Sequence, residues 1–548
     1  MKNTFLYSLI GLSLLLSRPV TGQEQVSIDI QQKYQTIDGF GGSLAYYDGW
    51  LPAHPNRSKI YDYLFSDLGL SILRLRNTYM NEGGDNPDMN NSETIVSEGK
   101  KRSSFDIMIS SWSPPGKYKS NGQPANDETM ASLATDSAGN FVYAGFADWW
   151  YKSLVEYKNK GIDAKYISIQ NEPNWNPGYE GCIFMPQEQV VYDSKLDSNV
   201  RVASYAKAFT SVYDTLAEKS TNLSIVPKMI GPEVLGIENA WSGRPSDYTK
   251  TMDMSKCYAV AHHLYTGADA ANMAILANQY PDKPKMQTEF SDKDWFTLSQ
   301  VIQNSLTVEN VTAYLVWDMF WPGENSLIIT DFPWDRSQWV YPDGFKVTSK
   351  FYMFKQFAGF IKPGWIRVAA SSTGSSVKSS AFISPDSSKM SIVLINTSDN
   401  EDSVAIAPEN FYIDSGRIYS TTETLNCSLT GDYTGDYTGG TVKIPGKSVS
   451  TVTLALSYDI PQNIKSNQDS QNGLMLYPNP FTTETTLDLQ KFTDNAEIAI
   501  YNVNGQLISR SKTSGNGFVK IGASLEKGIY LLMITDGAKK ISFKMIKQ

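Results

Sequence analysis

Cysteine is nearly absent from this chain of 548 residues: only Cys182, Cys257 and Cys427 occur. Three are too few for a disulfide framework, so core packing must hold the fold. The thiols read as isolated and buried, with a Cys182–Cys257 bridge as the alternative. Histidine is just as scarce. His54, His262 and His263 form no ligand-spaced cluster, which argues against a catalytic zinc and for chemistry without metal or cofactor. Positive charge is in deficit, with 48 Lys and Arg against 57 Asp and Glu, a formal net charge of -9. That balance excludes the basic footprint of a nucleic-acid binder. Beyond the N-terminus no apolar run is long enough to cross a bilayer.

The N-terminus itself carries one early lysine, Lys2, then an apolar run, then small residues up to Gly22. This is the three-part layout of a secretory signal peptide over residues 1–22, too short and wrongly flanked for a spanning helix. No cysteine follows the run, so nothing marks a lipoprotein. Aromatic residues are abundant, with 31 Tyr, 23 Phe and 12 Trp. Their faces suit stacking on the C–H faces of sugar rings, although many must serve the core.

At this length two or three domains are expected. From about Ile37 to Phe320 one theme repeats: a short apolar strand, a polar loop, a helix-like stretch. The strand segments are 36–42, 71–76, 106–112, 166–172, 226–233, 257–265, 285–290 and 311–318. Eight such units predict an α/β fold, a (β/α)₈ TIM barrel, over 37–360. The segment from Ala147 shows helical periodicity, and Gly161 serves as its stop. Past Ile361-Lys-Pro-Gly364 the texture becomes short alternating strands, which predicts an associated antiparallel β-sandwich over 361–458. Residues 23–36 are strand-like and suited to join that side domain. The repeated Gly-Asp-Tyr-Thr at 431–438 reads as a loop. Residues 459–473 have linker composition, and 474–548 read as a small C-terminal all-β domain with a hairpin signal at Asn504-Gly505.

Two of the predicted barrel strands end in glutamate, Glu172 and Glu289. On the barrel register they close strands four and seven, so both face the cup at the carboxyl-terminal rim. A lone glutamate at a strand end is by default a solvated loop residue; two at matching barrel positions point to glycosidic bond hydrolysis, in which one carboxyl protonates the leaving oxygen and the other attacks or activates water. Asn171, beside Glu172, is placed to hydrogen-bond a sugar hydroxyl. Arg74 and Arg76 alternate with leucines and share one strand face; one of the two is a candidate to reach Glu289 and hold it ionised, against a structural ion pair at the barrel mouth, and Arg74 is a candidate substrate-binding residue. His263 and Tyr265 close strand six, Tyr265 as a candidate to orient Glu289, with a satisfied buried histidine as the plainer reading of His263. Trp112 and Trp317 are candidate sugar-subsite walls or core.

Taken in order, Ile37-Asp-Gly-Phe-Gly-Gly42, Leu68-Gly-Leu-Ser-Ile-Leu-Arg-Leu-Arg76, Ser168-Ile-Gln-Asn-Glu-Pro173, His263-Leu-Tyr265, Thr288-Glu289 and Phe357-Ala-Gly-Phe-Ile-Lys-Pro-Gly364 resemble glycoside hydrolase family 30, and most its bacterial xylanase branch. The resemblance implies Glu172 as acid/base, Glu289 as nucleophile, a covalent intermediate and net retention, with carboxyl oxygens about 5–5.5 Å apart. It implies xylan as substrate, with β-1,6-glucan as the runner-up. A glucosylceramidase-like activity is disfavoured for want of a broad apolar insertion, and a non-catalytic sugar-binding protein by the intact carboxylate pair. Xylanases of that branch grip a glucuronate side group with an arginine just after strand eight. Here Val316-Trp-Asp-Met-Phe-Trp-Pro-Gly-Glu-Asn325 has none and carries Glu324 instead, leaving Arg336 as the nearby substitute. Tyr477-Pro-Asn-Pro480, Tyr501-Asn-Val-Asn-Gly505 and Gly528-Ile-Tyr530 resemble the sorting domain of the type IX secretion system, which implies passage through that machinery; a carbohydrate-binding module is the alternative.

Overall fold

A computed structural model describes residues 24–457 and 476–548, except 81–88, 241–242, 410, 437–438, 491, 493–495, 504, 514–516 and 538. The expected signal peptide at 1–22, the linker at 459–473 and Asn504 lie outside the described residues. The chain divides into two compact units, 1–458 and 459–548.

In the first unit eight parallel strands close a barrel: β1 Gly39–Ser43, β2 Ile72–Arg76, β3 Asp106–Ser110, β4 Ala164–Ser168, β5 Lys228–Gly236, β6 Ala259–Thr266, β7 Lys285–Glu289 and β8 Ala313–Val316. Each lies largely within one of the strand segments expected from sequence. Both faces are covered, so β2 and β7 are buried at every position, including the arginines, lysine and glutamate they carry. Inside the barrel Ile72, Met108, Tyr166, Ile230, Ala261, Met286 and Leu315 form a packed floor. The glycines of β1 let strands approach closely: a Cβ on Gly41 would sit 1.7 Å from the Ile72 carbonyl oxygen. Outside, the helix Tyr143–Asn159 turns Phe146, Trp149, Trp150, Leu154 and Tyr157 onto the strands and stops ahead of Gly161, at φ 73°. Asp269 and Asp294 cap the helices Ala270–Gln279 and Trp295–Asn304 by accepting from backbone N–H groups of the first turn.

Two loops at the carboxyl-terminal rim carry small sheets of their own. After β4 come Phe184–Met185, Gln189–Asp193 and Ser198–Ser204; after β8 come Phe320–Trp321, Ile328–Thr330 and Phe345–Val347.

The side domain is a ten-stranded sheet in which Glu24–Thr36 is central, antiparallel to Ile366–Ser372 and parallel to Asp402–Glu409. Ile418 and Val442, from opposite ends of the strand order, share one core with Ile28, so the sheet folds over itself as a sandwich. Its outer face, with Phe382, Val393, Ile395 and Val449, merges with the barrel's core. Polar stitches reinforce the seam: Gln303 Nε2 donates to the Ser379 carbonyl at 2.8 Å and Thr451 Oγ1 to the Gln356 carbonyl at 2.7 Å. The Gly-Asp-Tyr-Thr repeat is not a loop. Its described residues other than Tyr433 lie in Ser428–Asp432 and Thr434–Asp436, which pair at the two edges of the sheet; glycine and aspartate disfavour strands by propensity, but edge pairing overrides it.

The second unit has a three-stranded sheet, Leu476–Tyr477, Thr485–Asp488 and Phe518–Ile521, and a four-stranded one, Leu507–Lys512, Glu497–Asn502, Gly528–Asp536 and Lys539–Lys547. Phe481, Leu487, Leu532, Ile534 and Met545 fill its core. Among the described residues no helix is long and apolar enough to cross a membrane.

Candidate active site

Arg74 organises the cup. Its guanidinium, carried by the middle residue of β2, is fully buried and spends its donors on four partners: Glu289 Oε2 at 2.5 Å, Asn171 Oδ1 at 2.7 Å, Glu233 Oε1 at 2.9 Å and Ser110 Oγ at 3.1 Å. Ser110 Oγ in turn donates a hydrogen bond to Glu233 Oε1 at 3.2 Å. From β6, His263 Nδ1 meets Glu172 Oε1 at 2.8 Å, and its Nε2 faces Glu289 Oε2 at 3.7 Å and Glu233 Oε1 at 3.8 Å. The Tyr265 hydroxyl donates to Glu289 Oε1 at 2.9 Å.

Glu289 is the last residue of β7, but Glu172 lies four residues beyond the end of β4 at Ser168. The intervening backbone stays pinned between neighbouring strands: Asn171 N–H donates to the Ser111 carbonyl at 2.7 Å, and Glu172 N–H to the Glu233 carbonyl at 3.0 Å. Glu172 and Glu233 both sit at positive φ, 45° and 60°. Such backbone costs about 1–3 kcal/mol per residue and survives where surrounding bonds enforce it, commonly at functional sites.

The buried charges sort themselves. Burial opposes ionisation of Glu233, yet Arg74 and His263 together hold it down to about 2. Burial likewise disfavours a charged His263, but Glu289, Glu172 and Glu233 push it up to about 9. Burial raises Glu172, and the nearby Glu289 adds to the rise, against the opposing pull of His263. Arg74 bonds Glu233 and Glu289 directly, whereas Glu172 meets only His263, and it is the carboxyl that burial holds above its usual range.

Aromatic rings line the rim. Arg74 stacks on Trp112 with Cζ 4.6 Å from the ring centre, and Trp112 meets Trp317 at 5.9 Å. Tyr46 packs edge-on against both, while Arg76 lies 4.3 Å over its ring and 3.5 Å from Glu180. The structure therefore gathers Arg74, Asn171, Glu172, His263, Tyr265 and Glu289 into one hydrogen-bonded network with Trp112 and Trp317 at its edge. Sequence reasoning passed over Glu233, Ser110, Tyr46 and Glu180. Glu233 carried the same signal as the other two glutamates, an apolar strand segment ending in a carboxylate, at Gly231-Pro232-Glu233.

One donor atom each of Glu172, His263 and Glu289 lies within 4.8 Å of the others, a grouping that sequence spacing did not reveal. Arg74 and the protonated His263 set positive charge against this point, which opposes a cation there.

Comparison with known proteins bears on the same assembly. Residues 365–452 match the glycosyl hydrolase family 30 beta sandwich domain, and 475–548 the secretion system C-terminal sorting domain. The chain is 22% identical to the glucuronoxylanase XynC of Bacillus subtilis over 75% of its own length and 85% of that protein's. It is 24% identical to the endo-1,6-beta-D-glucanase neg1 of Aspergillus fumigatus over 58% and 64%. A solved family 30 subfamily 8 xylanase from Clostridium acetobutylicum shares the fold, with a TM-score of 0.59 at 23% identity, covering 79% of this chain and 99% of that one. The chain thus joins a glycosyl hydrolase family 30 beta sandwich domain to a barrel whose fold it shares with family 30 xylanases, and ends in a secretion system C-terminal sorting domain.

Proposed function

We propose that this protein is a secreted β-1,4-xylanase that cleaves by double displacement and does not depend strictly on glucuronate branches. The observation that carries the reading is the carboxylate pair: one oxygen of Glu172 lies within 4.8 Å of one of Glu289. That limit for the nearer oxygens falls short of the about 6.5–9.5 Å between the carboxyls of inverting enzymes, and supports direct attack as in retaining enzymes, whose carboxyls stand about 5–5.5 Å apart. Glu172, held protonated, gives its proton to the glycosidic oxygen. Glu289 is aimed by Arg74 on one oxygen and Tyr265 on the other, and attacks the anomeric carbon. Asn171 Oδ1 is committed to Arg74, so its amide nitrogen is the end that offers a hydrogen bond to the sugar 2-hydroxyl. Glu172, now ionised, then draws a proton from the water that releases the sugar. Trp112 and Trp317 wall the reacting ring.

The branch argument rests on the segment after β8. It has no arginine up to Asn325 and exposes Glu324, while Arg336 lies with its guanidinium 5.4 Å over Trp339. A bidentate grip on a carboxylate has no ready replacement in an acidic loop. We further propose the divisions read from sequence: 1–22 signal peptide, 23–36 strand joining the side domain, 37–360 barrel, 361–458 sandwich, 459–473 linker and 474–548 sorting domain engaged by the secretion machinery.

The test is product analysis on glucuronoxylan, unbranched xylan and β-1,6-glucan side by side. Cleavage of both xylans supports the proposal. Cleavage of glucan alone moves the reading to the β-1,6-glucanase suggested by the fungal relative, and turnover of none to a non-catalytic carbohydrate-binding protein.

A further inference from the structure

A continuous path of aromatic rings leaves the cup, built jointly by the loop after β8 and the segment after β1. Trp317 meets Trp321 at 5.6 Å, Trp321 meets Tyr47 at 4.4 Å, and Tyr47 meets Trp50 at 4.6 Å. Trp50 then contacts Phe332 at 5.5 Å and Trp334 at 5.8 Å. Exposure rises along the path: Trp112 at the cup is 3% accessible, the middle rings are half-buried, and Phe332 and Trp334 reach 39% and 55%.

The outer rings are fixed rather than loosely draped. Asp331 Oδ2 accepts from Val340 and Tyr341 N–H at 2.9 and 2.8 Å, and Trp339 Nε1 donates to the Phe332 carbonyl at 3.0 Å. His54 stacks on Trp339 at 5.5 Å and 9°, and its Nε2 lies 3.1 Å from the Gly344 carbonyl, tying the loop to the segment after β1. Exposed aromatics cost apolar surface in water, and holding them rigid in that state favours a ligand that stacks. The contacts of Trp50 with Phe332 and Trp334 are edge-on, at 78° and 80°, so they do not cover the faces as a parallel stack would.

We propose that Phe332 and Trp334 form a distal platform for a β-linked polysaccharide chain whose reacting sugar sits between Glu172 and Glu289. The occupant is the substrate polymer itself, because the platform is continuous with the cup through unbroken ring contacts. The inference rests on the glycosidase reading and extends it from the cleaved bond to the length of chain recognised. A platform several ring steps from the carboxylates serves long chains and is out of reach of a short one.

The test compares full-length wild type, Trp334→Ala, Phe332→Ala and Trp334→Phe on the polymer that wild type cleaves, xylan or β-1,6-glucan, and on a short aryl glycoside of the same sugar. For each alanine variant the ratio of kcat/KM on polymer to that on the short substrate is expected to fall about five- to tenfold, the loss lying in KM, since tenfold corresponds to about 1.4 kcal/mol, the scale of one aromatic contact. Trp334→Phe keeps a ring and restores most of the ratio. An unchanged ratio, or equal losses on both substrates, overturns the platform while leaving the glycosidase intact. Wild type inert on every glycoside overturns the glycosidase reading and the platform with it.

Discussion

Glu172 differs from its two buried carboxylate neighbours in what surrounds it, not in its chemistry. Glu233 and Glu289 share Arg74 directly; Glu172 has only a histidine whose charge they also claim. Because its carboxyl is held above the usual range, activity should fall on the alkaline side as Glu172 loses its proton. Glu172→Gln should cut turnover of polysaccharide about 10²–10⁴-fold and remove that alkaline limb, read from kcat/KM against pH. An unchanged profile contradicts the assignment. Glu233 touches no reacting atom in this scheme and is a positioning residue: Glu233→Gln strands part of the charge on Arg74 and His263, with an expected loss of about 3–5 kcal/mol in urea unfolding and a lower His263 pKa by NMR titration. The same groups set a pH window for stability. Glu233, depressed from 4.5 to about 2, contributes stability above 4.5 that is lost as pH falls toward 2. His263, raised from 6.5 to about 9, contributes stability below 6.5 that is lost as pH rises through 9. Unfolding midpoints measured across pH should decline at both ends.

The barrel strands were legible because their signal is simple: short apolar runs between polar loops, buried on both faces. Strand β1 is the extreme case, since its glycines serve contact rather than flexibility. Gly41→Ala would push a methyl into the Ile72 carbonyl; it should destabilise by about 1–3 kcal/mol or more in a urea melt, and a neutral result would mean that β1 and β2 can part. Less was readable where elements are set by tertiary contact. The rim sheets after β4 and β8 include strands of two or three residues, below what alternation can reveal, and the Gly-Asp-Tyr-Thr repeat is made strand-like by its partners alone. Glu172 was placed at a strand end, whereas the ladder stops at Ser168 and the carboxylate is carried outward on backbone bonds to Ser111 and Glu233. No local pattern encodes those bonds. Glu233 was readable and missed, because a pair of carboxylates already satisfied the chemistry.

On the scale of the whole chain, the catalytic barrel and its sandwich form one unit with a shared core, and the sorting domain forms another. Removing 474–548 should therefore leave turnover of the purified enzyme within about twofold, a change near the error of additive, independent parts, while export fails; cell fractionation with activity assays reads both. Weakened polysaccharide binding with normal export would instead mark the tail as a binding module. The central claim is that Glu172 and Glu289 act by double displacement on xylan. It is tested most directly by proton NMR of the first sugar released from unbranched xylan, before mutarotation. The account predicts that the β-anomer appears first, the mark of retention. First appearance of the α-anomer would contradict it.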